Sequence, residues 1–159
     1  ELSACAAGLG SDVPFFLRSG LALGTGKGDI LTAVPEKLDF FGLLVYPHVH
    51  ISTAWVYSQF NLSLTKKKKM VKLIDFIAKI SEQHLWKKEL GNDLTDVVFA
   101  RYPEFRDIPE KLYQAGAFYA QMSGSGSAFF GLFAAHSQAE RAEQFFRSRY
   151  QTIHFKPIN

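Results

Sequence analysis

Chemistry-bearing residues gather in two short runs of this chain. The first is Gly8-Leu9-Gly10-Ser11-Asp12-Val13-Pro14-Phe15-Phe16, which sets one carboxylate on a tight turn against an apolar wall. A carboxylate so placed has two readings. It can cap a short helix, or in an apolar pocket it can orient or deprotonate a hydroxyl that attacks a phosphate. The second run is Ser123-Gly124-Ser125-Gly126-Ser127. Glycines let a backbone approach a ligand closely, and serine hydroxyls and amides together donate to an anion. A flexible serine-glycine linker is the competing account, but this run lies between two apolar strands and no long polar stretch surrounds it.

Three other features weigh less. Gly24-Thr25-Gly26-Lys27-Gly28-Asp29 fits neither the GxxxxGK[ST] nor the GxGxxG phosphate pattern, and a strand follows it, so a tight β-hairpin is expected there. His48 and His50 flank Val49 and would point the same way on a strand. With no third ligand near them in sequence, surface or substrate-lining roles are favoured over a metal pair. Lys66 to Lys69 and Lys72 read as the solvated face of an amphipathic helix. The alternative, an anion or nucleic-acid contact, has no aromatic platform to support it.

The elements that must position these residues are legible in outline. A small-residue helix over residues 1–9 stops at Gly8-Leu9-Gly10, and Ser11 or Asp12 starts a short turn that tolerates Pro14. Strand-like pieces follow at Leu21-Ala22-Leu23 and Asp29 to Val34, then a buried strand over Phe41 to Tyr46. Helices are expected from Ser52, over Lys68 to Ile80, from Asn92 to Pro103, and over residues 107–115 ending at Gly116. The chain closes as β-β-α-β: Phe118 to Met122, Ala128 to Phe133, Ser137 to Tyr150 and Thr152 to Lys156. Antiparallel-looking strands mixed with helices predict an α+β fold. A domain boundary is expected near Pro35-Glu36-Lys37, separating residues 1–34 from 35–159.

Composition sets outer bounds. The chain has 159 residues, 47% of them hydrophobic and 21% charged, with a formal net charge of +3, which suits one globular domain or one domain and a piece of another. No apolar run approaches the roughly 20 residues of a membrane-spanning helix. Cys5 is the single cysteine, so disulfides within the chain are excluded and a reducing, cytoplasmic setting is expected. The chain opens on Glu1-Leu2-Ser3-Ala4-Cys5 without an initiator methionine, as though partway through a helix. A fragment lacking its amino-terminal part is expected.

The order of the motifs adds a resemblance. Gly8 to Phe16 followed by Gly20 and Gly24-x-Gly26-x-Gly28-Asp29, then Tyr46-Pro47 with Ile51-Ser52-Thr53-Ala54 and Tyr57, Asn92-Asp93-Leu94, and Met122 to Ser127, together resemble the 4-diphosphocytidyl-2-C-methyl-D-erythritol kinases of the GHMP kinase superfamily. Asn61 to Glu89 matches poorly. The resemblance implies a GHMP C-terminal domain, an antiparallel sheet with helices packed on one side in a ferredoxin-like arrangement, preceded by a remnant of the N-terminal domain over residues 1–34. It further implies ATP and magnesium as cofactors and phosphorylation of the small-molecule substrate's 2-hydroxyl. Asp12 matches the catalytic aspartate, Ser123, Gly124, Ser125 and Gly126 the loop supporting the phosphates, and Thr53 a polar position near the substrate, with His48 a further candidate. Asn92 is read as a helix cap. The family's main phosphate loop and an assisting lysine lie upstream of Glu1, so the chain alone is expected to be inactive without that missing half. Another GHMP small-molecule kinase, or an interaction module using Lys66 to Lys72, are the alternatives.

Overall fold

A computed structural model describes residues 2–10, 12–18, 20–28, 30–60 and 73–158. Its contacts divide the chain into two compact units, Glu1–Asp39 with Pro157–Asn159, and Phe40–Lys156.

In the first unit, helix α1 (Leu2–Leu9) leads into a 3-10 helix, Val13–Leu17. The latter begins where Val13 N–H donates to Gly10 O and Phe15 N–H to Asp12 O, each at 3.2 Å. Strands β1 (Ala22–Thr25) and β2 (Ile30–Ala33) form an antiparallel hairpin pairing Thr25 with Ile30. The glycine run around Gly26 is thus the expected tight hairpin turn. The Arg18 guanidinium donates to Leu31 O at 2.8 Å, tying the 3-10 turn to β2.

The second unit is a four-stranded antiparallel sheet in the order β4-β5-β3-β6, built from β3 (Phe41–Tyr46), β4 (Tyr119–Met122), β5 (Phe129–Phe133) and β6 (Gln151–Phe155). Register follows the side-chain period of two. Leu43 opposes Gly131 and Val45 opposes Phe129, so Leu43, Val45, Phe129 and Phe133 share one buried face. Helices α6 (Asp107–Gln114) and α7 (His136–Glu143) fill that core through Ile108, Leu112, Ala139 and Ala142. Full burial of each large apolar side chain contributes about 1.5–3 kcal/mol. The Tyr113 hydroxyl ties α6 to β4, accepting from Ala120 N–H at 3.1 Å and donating to Ala120 O at 3.2 Å.

Helices α2 (Thr53–Gln59), α3 (Leu73–Ile77), α4 (Gln83–Glu89) and α5 (Thr95–Arg101) run between β3 and β4. Trp86 of α4 packs edge-on against Phe40, Phe118 and Tyr119, and its indole N–H donates to Ile80 O at 2.8 Å. The helix expected over Lys68 to Ile80 is helical over Leu73–Ile77 and turns through Ile80. Lys66 to Lys69 and Lys72 lie outside the described residues. The helix expected to reach Tyr150 ends at Glu143, and turns that bury Phe146 carry the chain into β6. No helix among the described residues is long and apolar enough to cross a membrane.

Candidate active site

The carboxylate of the first motif behaves differently from its expected setting. Asp12 stands at the N-cap of the 3-10 helix, yet its side chain makes no capping hydrogen bond and is exposed. Oδ1 faces Gly28 of the hairpin turn, where an added Cβ would come within 4.0 Å of it. The apolar wall is also open. Pro14 is buried, but Phe16 is 80% exposed and Phe15 and Leu17 are exposed with it. The capping reading therefore fails, because the turn is closed by backbone bonds alone. An exposed carboxylate, without a hydrogen-bond partner among the described residues, remains.

The second motif joins β4 to β5. Ser123 N–H donates to Ala128 O at 2.8 Å and Gly126 N–H to Ser123 O at 3.0 Å, which makes a tight turn and not a linker. Gly124 and Gly126 take φ of 54° and 85°, the left-handed region that costs a side chain roughly 1–2 kcal/mol. At Gly126 a Cβ would also lie 3.0 Å from Met122 Sδ. At Gly124 it would meet open space.

Three side chains from separate places in the sequence brace this turn. Thr53 opens α2 behind its N-cap Ser52, whose Oγ accepts Trp55 N–H at 3.3 Å, and Thr53 Oγ1 lies 2.8 Å from Ser125 Oγ. Ser127, the one buried polar residue among those described, donates its hydroxyl to Val49 O at 2.6 Å. Asn92 donates Nδ2 to Met122 O at 3.0 Å and to Gly124 O at 2.7 Å, while its Oδ1 accepts Leu94 N–H at 3.0 Å. Among the described residues, the amides of Gly124 and Ser125 donate to no acceptor. Two unpaired donors beside open space are suited to an anion.

Of the expected site residues, the structure brings together Thr53, Ser123, Gly124, Ser125 and Gly126. His48 neighbours this group through Val49, whose carbonyl accepts the Ser127 hydroxyl. Pro47 lacks the N–H that a further ladder bond needs, so β3 ends at Tyr46 and the two histidines are not on a strand as expected. His48 takes φ of 59° and lays its ring on Tyr46, centroids 4.7 Å apart. No group of three or more histidine, cysteine or acidic residues among the described ones is arranged to hold a metal ion. Asp12 belongs to the first unit.

Sequence reasoning missed the brace that Asn92 supplies. The helix cap expected at Asn92 does not form: the N-cap of α5 is Leu94, with no side-chain cap, and Asn92 Oδ1 closes the preceding turn by accepting Leu94 N–H. The two bonds from Nδ2 span 30 and 32 residues, and no local pattern encodes them.

Comparison with known proteins bears on all of this. Residues 76–152 match the family "GHMP kinases C terminal". The chain is 39% identical to a 4-diphosphocytidyl-2-C-methyl-D-erythritol kinase of Chlorobium phaeobacteroides (strain BS1), over 99% of this chain and 56% of that protein. It is 41% identical to the kinase of the same name from Pelobacter propionicus, over 89% of this chain and 49% of that one. A crystal structure of a 4-(cytidine 5'-diphospho)-2C-methyl-D-erythritol kinase superposes with a TM-score of 0.76 at 26% identity, covering 100% of this chain and 57% of that one. A homoserine kinase from Cytophaga hutchinsonii shares the fold, with a TM-score of 0.63 at 16% identity over 89% of this chain and 49% of that one. The chain spans about half the length of the curated relatives it matches. Residues 76–152 thus form a GHMP kinase C-terminal domain, in a chain similar along almost its whole length to the 4-diphosphocytidyl-2-C-methyl-D-erythritol kinases.

Proposed function

We propose that the chain is the C-terminal part of a kinase that transfers the γ-phosphoryl group of ATP to the 2-hydroxyl of 4-diphosphocytidyl-2-C-methyl-D-erythritol, a step of non-mevalonate isoprenoid precursor synthesis. One observation carries the reading. A chain 39% identical to such a kinase over 99% of its own length presents an exposed Asp12 carboxylate and a braced glycine turn whose Gly124 and Ser125 amides are unpaired among the described residues. The activity is proposed for a protein of the relatives' length, in which residues 1–34 belong to the N-terminal domain and residues 35–159 form the C-terminal one.

Asp12 accepts the proton of the attacking hydroxyl as its oxygen bonds to phosphorus and the bridging bond to ADP breaks. The Gly124 and Ser125 amides suit phosphate oxygens and donate to charge developing there. Thr53 holds the Ser125 hydroxyl, and His48, exposed beside Tyr46, lines the substrate. ATP bound with magnesium would supply the phosphoryl group, the magnesium ion offsetting the negative charge of the phosphates.

The test is a phosphotransfer assay with ATP, magnesium and the diphosphocytidyl substrate, on the protein extended to its relatives' length. Asp12→Asn is expected to lower kcat by about 10²–10⁴-fold, the usual worth of a positioned proton acceptor, with little change in KM. The 159-residue chain alone is expected to show no turnover. An inactive but folded full-length protein, or full activity in Asp12→Asn, overturns the assignment.

A further inference from the structure

A peptide group is planar and trans, so its C=O and the following N–H point in opposite directions. Asn92 holds two such planes through their carbonyls, Met122 O at 3.0 Å and Gly124 O at 2.7 Å. In the first plane the opposite N–H belongs to Ser123 and is spent on Ala128 O at 2.8 Å. In the second it belongs to Ser125 and meets no acceptor among the described residues. Fixing Gly124 O on Asn92 therefore aims the Ser125 N–H away from Asn92 and leaves it available. The Thr53 hydroxyl, 2.8 Å from Ser125 Oγ, restrains the same residue through its side chain. Gly124 at φ 54° is the conformation that these bonds must hold, and glycine alone enters it without steric cost but with the largest loss of chain freedom.

We propose that Asn92 is a positioning residue: its carboxamide sets the Gly124–Ser125 peptide plane so that the Ser125 N–H is presented to a phosphate oxygen. The inference rests on the kinase reading for which phosphate is bound, while the geometry of the pin stands apart from it. The local turn ahead of α5 requires only the Oδ1 acceptor that serves Leu94 N–H. The side-chain amide, with two donors turned on two carbonyls, is what the pin adds. An aspartate there would keep the acceptor and turn a carboxylate on both carbonyl oxygens, which is repulsive.

The experiment separates the two roles with Asn92→Ser, whose hydroxyl can still accept from Leu94 N–H but is too short to reach both carbonyls, and Asn92→Asp, which keeps the acceptor and removes the donors. Inorganic pyrophosphate is titrated into this chain and the Ser125 amide followed by NMR. In the native sequence that amide is expected to shift and saturate. Both variants are expected to bind pyrophosphate at least about tenfold more weakly, the effect of losing one aimed donor to an anion, with resonances from β3 and β5 unmoved. In the protein of full length, Asn92→Ser is expected to lower kcat more than it raises KM for the alcohol substrate. A Ser125 amide indifferent to pyrophosphate, or variants that bind it as the native chain does, overturns the proposal. A pyrophosphate-responsive amide in a full-length protein that phosphorylates a different alcohol leaves the pin standing and removes the substrate assignment.

Discussion

Asp12 and Gly126 both sit in turns and carry opposite expectations for stability. The Asp12 side chain makes no capping bond and is exposed, so Asp12→Asn is expected to leave folding stability within about 0.5 kcal/mol while activity falls, by thermal denaturation beside the kinetic assay. Gly126 takes φ of 85°, and a Cβ would press on Met122 Sδ at 3.0 Å and Ile51 Cδ1 at 3.3 Å. Gly126→Ala is accordingly expected to cost about 1–3 kcal/mol in chemical denaturation, from the left-handed backbone and the crowding together. A neutral result would mean that the turn relaxes to another shape. These two positions also mark what residue types disclose. The glycines of Ser123 to Ser127 marked a loop between two strands that could approach a ligand closely, and the left-handed angles of Gly124 and Gly126 are what the structure adds. Asp12 was legible as a carboxylate on a turn but not in its exposure, which depends on where Phe15, Phe16 and Leu17 point. Asn92 was legible only as a local acceptor, since a side chain advertises its local bonds in sequence and not the strand end it reaches.

At the scale of elements, continuous apolar runs such as Phe41 to Tyr46 and Phe129 to Phe133 declared buried strands, and the β-β-α-β close of the chain followed from them. Helix ends were less legible. α7 stops at Glu143 although the sequence stays helix-compatible beyond it, because Phe146 must turn into the core and β6 must begin beside β3. The end of α7 is tied to β6 by Glu143, which accepts the Thr152 hydroxyl at 2.7 Å and faces His154 Nε2 at 3.2 Å. Those two hydrogen bonds, Thr152 first, hold the Glu143 carboxyl below its ordinary value of 4.5. A depressed folded-state pKa contributes stability above the unfolded-state value, lost as pH falls through the folded one. Glu143→Gln retains an acceptor for Thr152 and removes the titration. The melting temperature of the native chain is therefore expected to exceed that of the variant above about pH 4.5, the gap closing as pH falls below it. A gap of constant size from pH 3 to pH 7 would show that the tie is not electrostatic.

For the whole molecule, the division of the core between the two units decides which parts open first. Phe40–Lys156 encloses the cluster of Leu43, Val45, Leu112, Phe129, Phe133 and Phe146, all at most 1% exposed. In Glu1–Asp39 only Ala6 and Pro14 are buried among the described residues, while Leu9 is 82%, Phe16 80% and Ile30 62% exposed. Among the described residues, strands β1 and β2 pair only with each other, and a lone two-stranded hairpin is marginal in water. Amides of β3 and β5 should thus exchange with solvent only when the larger unit unfolds, whereas those of β1 and β2 exchange through local opening. Hydrogen exchange followed by mass spectrometry is expected to show β1 and β2 exchanging at least about tenfold faster than β3 and β5, a gap of 1.4 kcal/mol or more in opening free energy. In the protein of its relatives' length the same β1 and β2 amides are expected to slow, because exposed Leu9, Phe16 and Ile30 offer apolar surface for further chain to cover. Equal protection in all four strands of the 159-residue chain would instead mean that the hairpin unfolds together with the larger unit, and that its stability is set by contacts other than its own sparse burial.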